Sequence, residues 1–180
     1  MKHLLLLLTL FFSFNVVAEQ ILPLPPAPPI AARAYLLADF SSGRLLVQQG
    51  INDRVEPASL TKLMTAYLTF TAIKQGRIKI DQVLPVSEKA WRTEGSRMFI
   101  EINRPVTVAE LIHGMIIQSG NDACITLAEG IAGSEEVFAQ MMNQQAARLG
   151  MKNTHYVNST GLPHAQHYTT AYDLSLLAAA

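Results

Sequence analysis

The segment that leaves this chain least freedom is Leu60–Ile73, LTKLMTAYLTFTAI, apolar or small almost all round. That pattern predicts a buried helix rather than a surface helix with a single apolar stripe. Pro57 marks the entry, Ser59 stands at the N-cap position and Gly76 at the stop. Lys74 falls in the last turn, where the helix dipole favours a cation. Lys62 falls in the first turn, where the dipole opposes one. A charge at the wrong end of a buried helix needs a reason.

Composition narrows the class. Fourteen basic and fourteen acidic side chains balance, which gives no support for a nucleic-acid partner. The N-terminus has Lys2, an apolar run Leu4–Phe12 and the small-residue site Val16-Val17-Ala18. It predicts a secretory signal peptide over residues 1–18 rather than a membrane span, because the unbroken apolar run is too short. Cleavage leaves roughly 160 residues, enough for one domain with its own core, and places the protein outside the cytoplasm. Residues 19–33 hold PLPPAPP and read as an extended tether, and residues 34–180 as the domain proper. The single cysteine, Cys124, sits in DACITLA and reads as a buried structural thiol.

Along the domain, Tyr35–Asp39 and Arg44–Gln48 predict a hairpin around Ser41-Ser42-Gly43. The stretch from Asp81 to Glu101, with Trp91, reads as loop with short extended pieces. Thr107 and Glu110 have capping-box spacing ahead of a helix to Ile117. Further helices are expected over Ala123–Ala132, from Ser134 to Gly150, and after Thr170, with Asp173 at its N3 position. That last helix is still running at LSLLAAA, and the hairpin is a small sheet to stand alone. Both lead us to expect a longer parent chain.

Ser59 and Lys62, three apart at a helix start, share one face. A serine hydroxyl becomes a useful nucleophile when a neighbour takes its proton, and lysine can do so only as the neutral amine. Lowering a lysine from about 10.4 to about 7.5 takes roughly 4 kcal/mol. The dipole supplies up to ~2 kcal/mol; burial contributes up to ~3–5 pKa units and is the larger effect. Free N–H groups at the same helix start are candidates to hold an oxyanion. By itself, S-x-x-K is a short and common pattern better read as a capping serine and a snorkelling lysine, and only its context favours the catalytic reading. A second constellation is QSGNDA. Ser119 and Asn121 occupy a turn between apolar helices, although Ser119 and Asp122 also have capping-box spacing.

EPASLTKLMTAY, then SGNDAC, then LGMKNTHYVNSTGL together resemble the D-alanyl-D-alanine carboxypeptidase family of low-molecular-mass penicillin-binding proteins. The resemblance implies an α/β fold of the penicillin-binding transpeptidase/β-lactamase type, with an all-helical subdomain and an antiparallel sheet incomplete in this chain. It implies Ser59 as the acyl-enzyme nucleophile, Lys62 as its proton acceptor, Ser119 in proton transfer and Asn121 in substrate positioning. It also implies a peptidoglycan pentapeptide ending in D-Ala-D-Ala as substrate and β-lactams as covalent inhibitors, with no cofactor and no metal. A periplasmic site of action, with a membrane anchor beyond Ala180, belongs to the same expectation. The family's third motif, K-T-G, does not occur in the 180 residues.

Three other readings compete. A class A β-lactamase needs a deacylating carboxylate, yet no Asp or Glu occurs between Glu136 and Asp173. A zinc peptidase is suggested only by His155, His164 and His167, without H-E-x-x-H or a cysteine pair. A non-catalytic wall-binding module would not need the intact Ser59, Lys62, Ser119 and Asn121. The sequon at Asn158 reads as an accident of composition.

Overall fold

A computed structural model describes residues 26–180, of which Ala31–Ala180 form one compact unit. The expected signal peptide and residues 19–25 of the tether lie outside the described residues. Residues 26–32 are without regular structure.

The hairpin pairs β1 (Tyr35–Ala38) with β2 (Leu45–Gln49), with a bulge at Leu37/Ala38. Its loop is closed by Asp39, whose Oδ1 accepts from the Ser42 N–H at 2.7 Å and its hydroxyl at 2.6 Å. A 3₁₀ turn, Ala58–Thr61, runs directly into α1 (Lys62–Lys74). Gly76, at φ +69°, ends α1 in a Schellman arrangement, with Gly76 N–H on Ile73 O and Arg77 N–H on Ala72 O. A two-residue ladder, β3 (Val83–Leu84) with β4 (Val106–Thr107), brackets the short helix α2 (Glu88–Arg92). That helix departs from the loop expected there. Ser87 caps it by accepting from the Ala90 N–H at 3.0 Å.

Four helices follow: α3 (Val108–Ile117), α4 (Asn121–Ala132), α5 (Glu135–Arg148) and α6 (Ala171–Ala178). Helix α4 packs on α1, α2, α3 and α5, which explains why Ala123–Ala128 are all buried. One core gathers Ala72, Leu84, Val106, Leu111, Met115 and Leu127. The other gathers Met64, Leu68, Ala128, Phe138, Met142 and Tyr156. Both α1 and α4 contribute to both cores, so their relative placement is fixed by packing from two sides. Helix α1 is not buried all round, however. Met64, Thr65, Leu68, Thr69 and Ala72 are inside, while Leu63 and Phe70 are exposed, so the helix keeps one open face.

Candidate active site

The capping readings of Ser59 and Ser119 both fail here. Ser59 does not cap α1, which begins after Thr61 without a side-chain cap bond. Ser119 does not cap α4, whose N-cap is Gly120, also without one. The two hydroxyls face each other instead, with the Ser119 hydroxyl donating to Ser59 Oγ at 3.0 Å. The chain is bent into this arrangement at a local cost. Ala58, just before Ser59, has φ +47°, and Ser119 itself has φ +55°. Non-glycine residues held there store of order 1–3 kcal/mol each.

Lys62 is the first residue of α1 and is 7% exposed. Its Nζ donates to Thr160 O at 2.8 Å and to Ser59 Oγ at 3.2 Å. No carboxylate pairs with it among the described residues. Burial lowers its pKa from the ordinary lysine value. Cys124 opposes that shift only as a thiolate, and burial pushes the Cys124 thiol up to about 12, so at neutral pH it is uncharged. Desolvation therefore acts on Lys62 essentially unopposed. The first turns of α1 and α4 meet at the two serines, and both present the positive end of a helix dipole.

Asn121, the first residue of α4, is buried and makes no hydrogen bond to Ser59, Lys62 or Ser119. Its Nδ2 donates to Glu94 O at 2.6 Å and its backbone N–H to Ser96 O at 2.7 Å, so it ties the 94–96 loop to α4. An amide has two N–H bonds, and Glu94 O occupies one of them. Asp122 holds the same loop further on, accepting from Met98 N–H at 3.0 Å and Ile100 N–H at 3.2 Å.

The segment 155–168 closes the floor. Asn158 Oδ1 accepts from Thr160 N–H at 3.2 Å and Gly161 N–H at 2.8 Å, folding a tight turn that aims Thr160 O at Lys62. Gly161 has φ +88°, and a Cβ there would overlap the Ala58 carbonyl, so this backbone presses directly on the turn carrying Ser59. Asn158 spends its side chain inside the protein, Nδ2 donating to Leu162 O at 3.0 Å. All three loop histidines bond the protein, His164 Nδ1 accepting from the Gln166 N–H at 3.1 Å. His155 Nδ1 contacts Gln166 O at 2.6 Å, and His167 bonds Thr61 Oγ1 through Nε2 at 2.8 Å. Among the described residues no three His, Cys, Asp or Glu side chains are placed to hold a metal.

Thr160 escaped the sequence reading because its contribution is a backbone carbonyl, which every residue carries. The available signal was Gly161, a glycine ending N-S-T-G and placed to make a turn.

This constellation can be compared with known proteins. A family model for D-alanyl-D-alanine carboxypeptidases, peptidase family S11, matches residues 23–180. The D-alanyl-D-alanine carboxypeptidase DacC of Escherichia coli K12 is 41% identical over 176 residues, covering 94% of this chain and 43% of its own length. The solved structure of DacD from Francisella tularensis superposes with a TM-score of 0.83 at 40% identity, covering 94% of this chain and 41% of that one. Penicillin binding protein 5 from Haemophilus influenzae gives a TM-score of 0.83 at 38% identity, covering 86% and 46%. The chain thus spans less than half the length of these relatives, and its fold is the corresponding part of the penicillin-binding α/β fold. From residue 23 to its last residue, and with the Ser59–Lys62 pair that its sequence motifs call for in hydrogen-bond contact, the chain belongs to the D-alanyl-D-alanine carboxypeptidase family.

Proposed function

We propose that the chain carries the acylating apparatus of a serine-type D-alanyl-D-alanine carboxypeptidase. The observation that carries this reading is Ser59 Oγ lying between Lys62 Nζ at 3.2 Å and Ser119 Oγ at 3.0 Å, with the lysine buried and without an acid partner. A neutral Lys62 takes the Ser59 proton as Oγ attacks the carbonyl carbon of the penultimate D-alanine. The peptide C–N bond breaks, and the departing D-alanine amine receives a proton through Lys62 and Ser119. Water then cleaves the serine ester and restores the Ser59 hydroxyl. Asn121 holds the substrate peptide through its remaining amide N–H. The positive dipole ends of α1 and α4, which flank the two serines, favour the negative charge that develops on the carbonyl oxygen.

The substrate is a peptidoglycan pentapeptide, and β-lactams, which place a reactive amide in the same position, acylate Ser59 covalently. Action in the periplasm follows from the signal-peptide reading of residues 1–18. Incubating the full-length protein with a fluorescent penicillin and mapping the adduct by peptide mass spectrometry tests the reading. A label on the peptide containing Ser59, lost in Ser59→Ala and in Lys62→Ala, is expected. A protein that takes no label, or takes it elsewhere, contradicts the proposal.

A further inference from the structure

The first turn of α5 holds two adjacent acids that behave differently. Glu136 is exposed and pairs with Lys89 at 2.7 Å, as a solvated acid at a helix N-terminus ordinarily does. Glu135 is 6% exposed, and its carboxylate is turned inward. Oε1 accepts from the Ser159 N–H at 2.9 Å and from the Ser159 hydroxyl at 2.7 Å, while Oε2 pairs with Lys89 at 2.9 Å. A favourable dipole interaction does not require burial, and removing a carboxylate from water is costly unless its bonds are specific. The two bonds to one residue are the specific feature.

Ser159 is the residue before Thr160. Its own carbonyl accepts from Thr65 Oγ1 on α1 at 2.7 Å, so its N–H and hydroxyl are held from α5 and its C=O from α1. The Asn158 bonds that shape the following turn all stay within residues 158–162 and do not anchor it to the rest of the domain. Apart from Lys62 itself, the side-chain hydrogen bonds that dock the turn on the helices come from Glu135 and Thr65. The next carbonyl along is Thr160 O, which takes one N–H of Lys62 at 2.8 Å. Tying one N–H of the amine in a fixed direction turns its remaining tetrahedral directions toward Ser59, and a displaced carbonyl would release the lysine to other rotamers.

We infer that Glu135 is a positioning residue for the acylation step, acting through Ser159 to hold Thr160 O against Lys62. The inference rests on the proposed function and deepens it. It does not make Glu135 a catalytic residue, since the carboxylate touches neither Ser59 nor Lys62.

The test measures, on the full-length protein, the acylation rate at saturating fluorescent penicillin and the dissociation constant of the preceding complex. For Glu135→Ala we expect acylation to slow by about tenfold or more with the dissociation constant within about twofold, because orientation rather than binding is lost. Glu135→Gln, whose amide oxygen still accepts from Ser159, restores the rate to within about threefold of the parent. Glu136→Gln, which alters the same helix turn and the same Lys89, leaves both quantities unchanged. Should Glu135→Ala fail to fold, Ser159→Ala removes only the hydroxyl bond and is expected to slow acylation in the same way. Parent-like acylation in Glu135→Ala, or in Ser159→Ala where that variant stands in, overturns the inference. So does an equal loss in Glu135→Ala and Glu135→Gln, which would make charge rather than hydrogen bonding the cause. A parent that takes no label sinks the function instead, and so is distinguishable.

Discussion

Burial takes the His167 imidazole from its ordinary 6.5 down to about 4, with smaller contributions from His155 and His164. The ring is 3% exposed, edge-on to Tyr156, and Val157 N–H donates to its Nδ1 at 3.2 Å. With Nδ1 accepting, Nε2 carries the proton and donates to Thr61 Oγ1, one residue before Lys62. The folded protein therefore wants the neutral ring, whereas the unfolded chain takes up a proton below about 6.5. Stability from this group is full above that pH and is lost as pH falls toward 4, about 2 kcal/mol of it by about pH 5 and about 3 kcal/mol in all. Urea unfolding of the parent and of His167→Gln should show the gap between them shrinking by about that much from pH 7 to pH 5. A gap independent of pH would mean that the ring takes up its proton in the fold as readily as in the unfolded chain. From sequence, His167 was one of three histidines in a polar loop. Its partner Thr61 lies 106 positions away, and nothing local announces such a bond.

At the scale of elements, helix starts divide into two kinds. Thr107 caps α3 in a full capping box, accepting from the Glu110 N–H at 3.3 Å while Glu110 accepts from the Thr107 N–H at 2.8 Å. Ser134 caps α5 and Thr170 caps α6, both where their spacing from the helix predicted it. Ser59, at the N-cap position in sequence, and Ser119, for which capping was the alternative reading, cap neither α1 nor α4 and meet each other. Capping rules read local sequence, and local sequence fails where a residue's partner comes from another segment. The helices were legible for the same reason the caps were. Helix α2 was not, because at five residues it is too short to show a period. Thr107→Ala should cost about 1 kcal/mol in thermal or urea unfolding, as caps generally do. Ser59→Ala and Ser119→Ala should cost less than about 0.5 kcal/mol, or even stabilise by relieving a functional compromise. Ser59→Ala should nonetheless abolish penicillin labelling. If either serine variant loses as much stability as Thr107→Ala, the hydroxyl has a structural duty that these contacts do not reveal.

For the molecule as a whole, the site is a consequence of packing. Helix α4 lies at the centre, and two cores fix α1 against it. Their N-termini then converge on Ser59 and Ser119, with the 155–168 segment pressed underneath. The pair Ser59–Lys62 was singled out because a lysine in the first turn of an apolar helix conflicts with both solvation and the dipole, and because SGNDAC and LGMKNTHYVNSTGL follow it in a recognisable order. Glu135, Thr160 and His167 were not, because each acts through tertiary contacts between segments far apart in the chain.

The central claim is that burial gives Ser59 a neutral amine as its base. An ammonium cannot accept a proton, so acylation should rise with pH as Lys62 deprotonates, and its lowered pKa moves that rise to lower pH. The most direct test is the pH dependence of the acylation rate of the full-length protein with a fluorescent penicillin. An inflection clearly below the ordinary lysine value of 10.5, absent from the residual rate of Lys62→Ala, is the predicted result. An inflection at the ordinary lysine value, or parent-like acylation by Lys62→Ala, would contradict it.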